Sequence, residues 1–256
     1  MWRTDLLTDA AEAALRSREA ALREEQAVHG LDALDEVGLH PVLAGAYKRA
    51  GLGILREQPY PQEWAFKVGR RGRGMAELPE RRDRNRCDLV ILAEPDGVLV
   101  DPLMVQSAVL SNRKAAEATL FESVAAGASP AIEQAAKRGL SPEDAYWLEV
   151  KVVGQHTFNC GVPGPNRSYA SELRRSLADL RKLDDDRMIR HAGLMLVLFT
   201  EAEETARHDV TALAHACLDR ELPVASPEIR CLPIRERIGN NFMTLALLDL
   251  RKPLEE

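Results

Sequence analysis

The chain contains no C-x-x-C pair. Its four cysteines, Cys87, Cys160, Cys217 and Cys231, are widely scattered, so neither a structural zinc site nor a disulfide framework is signalled. Reduced thiols and a cytoplasmic setting are the simplest expectation. No apolar run is long enough to cross a bilayer, and the opening stretch MWRTDLLTDAAEAALRSREAALREEQ is too charged for a signal peptide. An excess of positive charge is also missing. Thirty-four Lys and Arg stand against 40 Asp and Glu, a net charge of −6, so the molecule as a whole does not advertise nucleic-acid binding. There is no internal repeat. The segment GRRGRG lacks the strand-Gly-Lys-Ser/Thr-helix setting of a nucleotide-cradling loop.

What is present suits a globular protein. The 256 residues, 45% of them apolar, predict one large domain or two small ones with an ordinary core. Residues 5–28, rich in Ala, Leu, Glu and Arg, read as a helix exposed on much of its surface and ended by Gly30; residues 1–30 are set apart from an α/β domain over 31–256. A second helix is expected from about Leu31 to Ala50, with a break near His40-Pro41 and a stop at Gly51 and Gly53. LGILREQPYP reads as a strand closed by prolines. CDLVILAEPDG reads as a short apolar strand ended by a Pro-Asp-Gly turn. Residues 98–145 have helical composition interrupted at Gly127 and Pro130, and are expected to form a helical insertion. YWLEVKVV is a strand, GQHTFNCGVPGPN a loop, and SYASELRRSLADLRKL an amphipathic helix with Leu173, Leu177 and Leu180 on one face. AGLMLVLFT has the continuous apolar character of a strand buried on both faces. A further helix and two strands around a Gly-Asn-Asn turn complete an α/β sandwich with a mixed sheet.

Two of these strands carry acids where apolar residues are the rule. In YWLEVKVV, alternation puts Glu149 and Lys151 on one face and Val150 and Val152 on the other. Asp88 opens CDLVIL in the same way. If the two strands are neighbours, Asp88 faces Glu149 across the ladder. Facing carboxylates repel, and a divalent cation such as Mg²⁺ removes the conflict. Gln155 shares the parity of Glu149 if the strand continues through Gly154, and is then a catalytic candidate that would contact the metal-bound water or a phosphate; otherwise it only begins the loop. The bland alternative is a surface ion pair worth under ~1 kcal/mol. The missing positive charge is concentrated between Lys67 and Arg86, with eight Lys/Arg against three acids. Arg70, Arg71, Arg73, Arg82, Arg84 and Arg86 would form an arm that neutralises backbone phosphates; Arg174 and Arg181 would extend its track or, equally, pair with Glu172, Asp179 and Asp184 to Asp186 along their own helix.

RCDLVIL, a long insertion and then WLEVKVV resemble the core of the PD-(D/E)XK nuclease superfamily, over roughly Leu31 to Thr200. The resemblance implies a restriction-endonuclease-like sandwich, a central mixed sheet flanked by helices. It implies metal-dependent hydrolysis of phosphodiester bonds, in DNA first of all. Asp88, Glu149 and the Val150 carbonyl would hold Mg²⁺ or Mn²⁺, and Lys151 would be the catalytic lysine. Glu36, on the helix before the first strand, matches the additional metal-binding acid of many members, with Glu57 as its competitor. The alternative is a catalytically silent adaptor that keeps the fold and docks on protein partners, or on a second copy of itself, within a defence or repair complex.

Overall fold

The computed structural model describes residues 2–61, 85–100, 139–159, 161–235 and 237–252. Two helices come first. α1 (Thr4–Glu24) is amphipathic and buries Leu7, Ala11 and Leu15. After a 3-10 turn at Leu31–Ala33, α2 (Glu36–Arg49) starts where the Asp35 side chain accepts the Gly38 N–H at 2.8 Å, capping an otherwise orphaned donor. The expected break at Pro41 does not occur; the proline lies within the helix. Gly51 closes the helix in the left-handed region (φ 81), donating to the Lys48 carbonyl.

The strands β1 (Gly53–Pro59) and β2 (Arg86–Leu92) follow, then two short strands, β3 (Val98–Leu99) and β4 (Gly139–Leu140), that pair in parallel. They lie within the segment 98–145 expected as a helical insertion, whose described ends thus carry strand rather than helix; 101–138 lie outside the described residues. Next is β5 (Tyr146–Gly154). The Gly- and Pro-rich stretch expected as a loop contains a hairpin, β6 (His156–Asn159) with β7 (Val162–Pro165). α3 (Tyr169–Asp185), β8 (His191–Thr200), α4 (Glu203–Leu218), β9 (Glu228–Pro233) and β10 (Phe242–Arg251) complete the chain.

Six strands form one mixed sheet in the order β1-β2-β5-β8-β10-β9. Only β5 and β8 are parallel, joined through α3; the other neighbours are antiparallel. The sheet separates two apolar layers. On one side, Leu180 and Leu183 of α3 and Ala206, Val210 and Leu213 of α4 pack on Trp147, Leu194 and Leu196. On the other, Leu7 and Leu15 of α1 and Leu39, Leu43 and Tyr47 of α2 pack on Leu89, Ile91 and Leu148. The α/β sandwich with a mixed sheet expected from the sequence is therefore present. β8, in contact with both layers, is buried from Ala192 to Thr200, as its apolar run requires. No helix among the described residues is long and apolar enough to cross a membrane.

α1 belongs to this core through one face, while its opposite face stays in solvent. Leu15 is fully buried in the layer shared with α2. Leu15→Ala is expected to cost about 2–5 kcal/mol of stability, as for a buried leucine that leaves a cavity. Urea unfolding measures this; a loss within about 0.5 kcal/mol, the range of surface positions, would show that α1 is only an appendage.

Candidate metal site at the β2–β5 opening

β2 and β5 are hydrogen-bonded neighbours over a short stretch only. Their register is Leu89↔Leu148, Val90↔Trp147 and Ile91↔Tyr146, and there it ends. β5 continues along β8 to Gly154, so from Glu149 onward its other edge has no strand partner among the described residues. One register step beyond the last pair, Asp88 stands opposite Glu149. The Asp88 carboxylate accepts the Val150 N–H at 2.8 Å, in place of the missing ladder bond. A residue's N–H and C=O point to the same edge of a strand, so the Val150 carbonyl also faces this opening. The juxtaposition expected from two acid-interrupted apolar strands is what the register produces.

The face of β5 that carries Glu149 runs from dry to wet. Trp147 is fully buried, Glu149 is 6% exposed, and the Lys151 side chain is 21% exposed. Tyr60, just beyond β1, stacks on Trp147 with ring centroids 6.2 Å apart, and its hydroxyl donates to Glu149 Oε1. Burial and the neighbouring Asp88 charge push Glu149 up to about 9, against the opposing pull of the Tyr60 hydroxyl. Without a cation, Glu149 therefore carries a proton at neutral pH. The Cys87 thiol beside it is raised well above its ordinary range by burial and by Glu149 and Asp88.

Lys151 Nζ donates to Glu36 Oε2 at 2.8 Å, reaching the first turn of α2. Burial works against the ammonium, but the hydrogen bond and charge of Glu36, with Asp179 and Asp88 behind, leave its pKa raised. Glu36 is also raised, by burial first, although Lys151 opposes this. The two shifts pull the pair in opposite directions; the 2.8 Å contact between partly exposed groups favours the ionised pair. Glu36 thus lies beside the opening as expected, with one oxygen engaged by the lysine rather than free for an ion.

A second group adjoins Asp88. His40 of α2 is buried, its side chain 1% exposed. Its Nδ1 lies 3.8 Å from Glu57 Oε1 and its Nε2 3.8 Å from Asp88 Oδ2. Both distances exceed a hydrogen bond, and neither ring nitrogen has a partner. One ligand atom each from His40, Glu57 and Asp88 fall within 4.8 Å of one another. Glu57 reaches this position through its backbone. By alternation it would share the face of Leu55, which packs against the layer of α3 and α4. Its φ of 54 instead takes it out of the β1–β2 ladder, where the register puts it opposite Asp88, and turns its carboxylate towards α2. Left-handed backbone at a non-glycine residue costs about 1–3 kcal/mol. The Arg86 guanidinium holds the bend, donating to the Glu57 carbonyl at 2.8 Å.

Two sequence expectations are corrected. Gln155 is not in the opening: its Oε1 accepts the Glu201 N–H at 2.8 Å, and its backbone bonds to Phe199 and Asn166. Six residues of strand put it about 20 Å from Glu149, so shared parity does not mean a shared site. Arg181 does not stand free as a phosphate track requires: its guanidinium donates to the Arg220 carbonyl and lies 3.8 Å from Asp184. Arg174 is exposed on α3. Arg70, Arg71, Arg73, Arg82 and Arg84 lie outside the described residues. His40 and Tyr60 were not signalled by the sequence. A helical histidine before a proline and a tyrosine between two prolines carry no spacing that announces a site.

No family model, no curated protein and no solved structure matches the chain.

The raised Glu149 makes stability depend on pH with a definite sign. Below the ordinary glutamate range both folded and unfolded chains hold the proton, and the contribution is complete. As pH rises towards 9 the unfolded chain ionises first, and this stability is lost at up to about 1.4 kcal/mol per pH unit. In chelator, the wild-type Tm should therefore fall more steeply between pH 5 and 9 than that of Glu149→Gln. Parallel profiles would show that Glu149 ionises normally.

Proposed function

We propose that this chain is a metal-dependent nuclease of the PD-(D/E)XK type, built on a restriction-endonuclease-like sandwich and hydrolysing phosphodiester bonds, with DNA as the first substrate to test. The observation that carries this reading is the meeting of Asp88 and Glu149 where the β2–β5 ladder ends, with Lys151 one step further on the same face. The donor set fits a hard divalent cation, Mg²⁺ or Mn²⁺. Two carboxylates and an edge carbonyl converge, and one carboxylate must keep a proton unless positive charge takes its place. Such an ion would acidify the attacking water and offset charge growing on the phosphate. Asp88 and Glu149 would hold it, together with the Val150 carbonyl. Tyr60 fixes the Glu149 carboxyl group, and Asp88 is fixed by the Val150 N–H.

Lys151 would orient the attacking water and balance charge at the phosphate. To do so its ammonium must share or leave Glu36. Arg174, exposed on α3, offers a cationic group on an element beside the site. That Lys151–Glu36 pair is also the one observation favouring the silent-adaptor reading, since it leaves the lysine occupied. An adaptor would bind nucleic acid equally well in chelator and would tolerate Asp88→Asn.

For the enzyme, wild type should cut single- or double-stranded DNA with Mg²⁺ or Mn²⁺. Lys151→Ala should keep the circular dichroism spectrum and lose about a hundredfold or more in rate. A wild-type protein that cuts neither DNA nor RNA with either ion rules the reading out.

A further inference from the structure

We propose that His40, Glu57 and Asp88 form a nitrogen-containing metal site that takes a divalent first-row transition ion in preference to Mg²⁺. The inference deepens the proposed function, because Asp88 is shared with the β2–β5 opening, but the site draws on residues that reading does not use. Three observations converge. His40 is almost completely buried, and both its ring nitrogens lack a partner. A buried polar group left unpaired is costly, so an imidazole held between two carboxylates calls for a further partner. The 3.8 Å separations run from different ring nitrogens and are too long for hydrogen bonds, so one ion would take only one of these nitrogens. One such nitrogen and one oxygen from each acid lie within 4.8 Å of one another, a span that an ion about 2.1 Å from each donor bridges with small shifts. Finally, the φ of 54 at Glu57 turns its carboxylate to this one place.

The donor set determines the class of ion. Mg²⁺ favours an all-oxygen shell and keeps much of its water. An imidazole beside two carboxylates adds a ligand that first-row transition ions bind more tightly, Mn²⁺ least and the later ions progressively more. The rival occupant is a proton. A doubly protonated His40 could bridge Glu57 and Asp88 as an imidazolium, and would then not bind an ion.

Mn²⁺ is the probe, because its unpaired electrons report directly on a coordinated nitrogen. The full chain, stripped with chelator, is titrated with Mn²⁺ and examined by electron spin-echo spectroscopy. Wild type and Glu149→Gln should both show nitrogen modulation on bound Mn²⁺, and His40→Gln should show none. Mg²⁺ in about tenfold excess should not remove the signal. Because His40→Gln alters a buried position, Glu57→Gln is the second variant. That side chain is half exposed, so the fold is kept while Mn²⁺ affinity falls about tenfold or more. Mn²⁺ bound through oxygen alone, no bound Mn²⁺, or an unchanged nitrogen signal in His40→Gln overturns the proposal. The two readings fail separately: a nitrogen-coupled signal in a protein that cuts nothing counts against the nuclease alone. Cleavage with purely oxygen-bound Mn²⁺ counts against this site alone.

Discussion

The architecture turns on the hydrogen bond from the Val150 N–H to Asp88. Where β2 parts from β5, a backbone donor loses its ladder partner, and a buried N–H left unsatisfied would cost about 1–3 kcal/mol. Asp88 satisfies it, and so is fixed at the mouth of the opening between Glu149 on one side and His40 on the other. The parting of the strands creates the space, and the bond that repairs it supplies the acid. β5 keeps its full length because β8 supports its other edge from Tyr146 to Gly154. A splayed strand can therefore stay fully paired along one edge.

Around that bond three adjacent strands contribute a carboxylate each in a row, Glu57, Asp88 and Glu149, with Glu57 turned out of the ladder towards α2. Alone, such a row is unfavourable. The protein spreads the cost in three ways: a proton on Glu149, a hydroxyl from Tyr60, and a cation on a tether, Lys151. A divalent ion would replace the first of these. Binding is then expected to release a proton, and affinity to rise with pH as that proton becomes easier to remove. The pairing of Lys151 with Glu36 has a further consequence, since it links the chemistry of β5 to the first turn of α2, the helix that also carries His40.

Much of this was legible in the sequence, for a simple reason. An acid inside an apolar strand breaks a pattern, and both Asp88 and Glu149 do so; alternation then puts Lys151 on the face of Glu149. The element order and the two-sided burial of β8 follow from pattern in the same way. The failures are equally specific. Parity carried Gln155 into the site because alternation says nothing about how far along a strand two residues lie. For Arg181 the sequence offers both a phosphate contact and an acid of its own helix, and Asp184 is indeed beside it, but the Arg220 carbonyl that it binds is distant in sequence and has no signature there. Glu57 was noticed as an acid, but the left-handed backbone that aims it at α2 has no signature in a non-glycine residue. His40 is a lone histidine on a helix, and only tertiary structure places it between its acids.

The central claim is that Asp88 and Glu149 share one divalent cation at the end of the β2–β5 ladder. Anomalous diffraction from a crystal soaked in Mn²⁺ tests it most directly. The account predicts a peak contacting both carboxylates, with Tyr60 still against Glu149. Full Mn²⁺ loading elsewhere with no density between these two acids would contradict it.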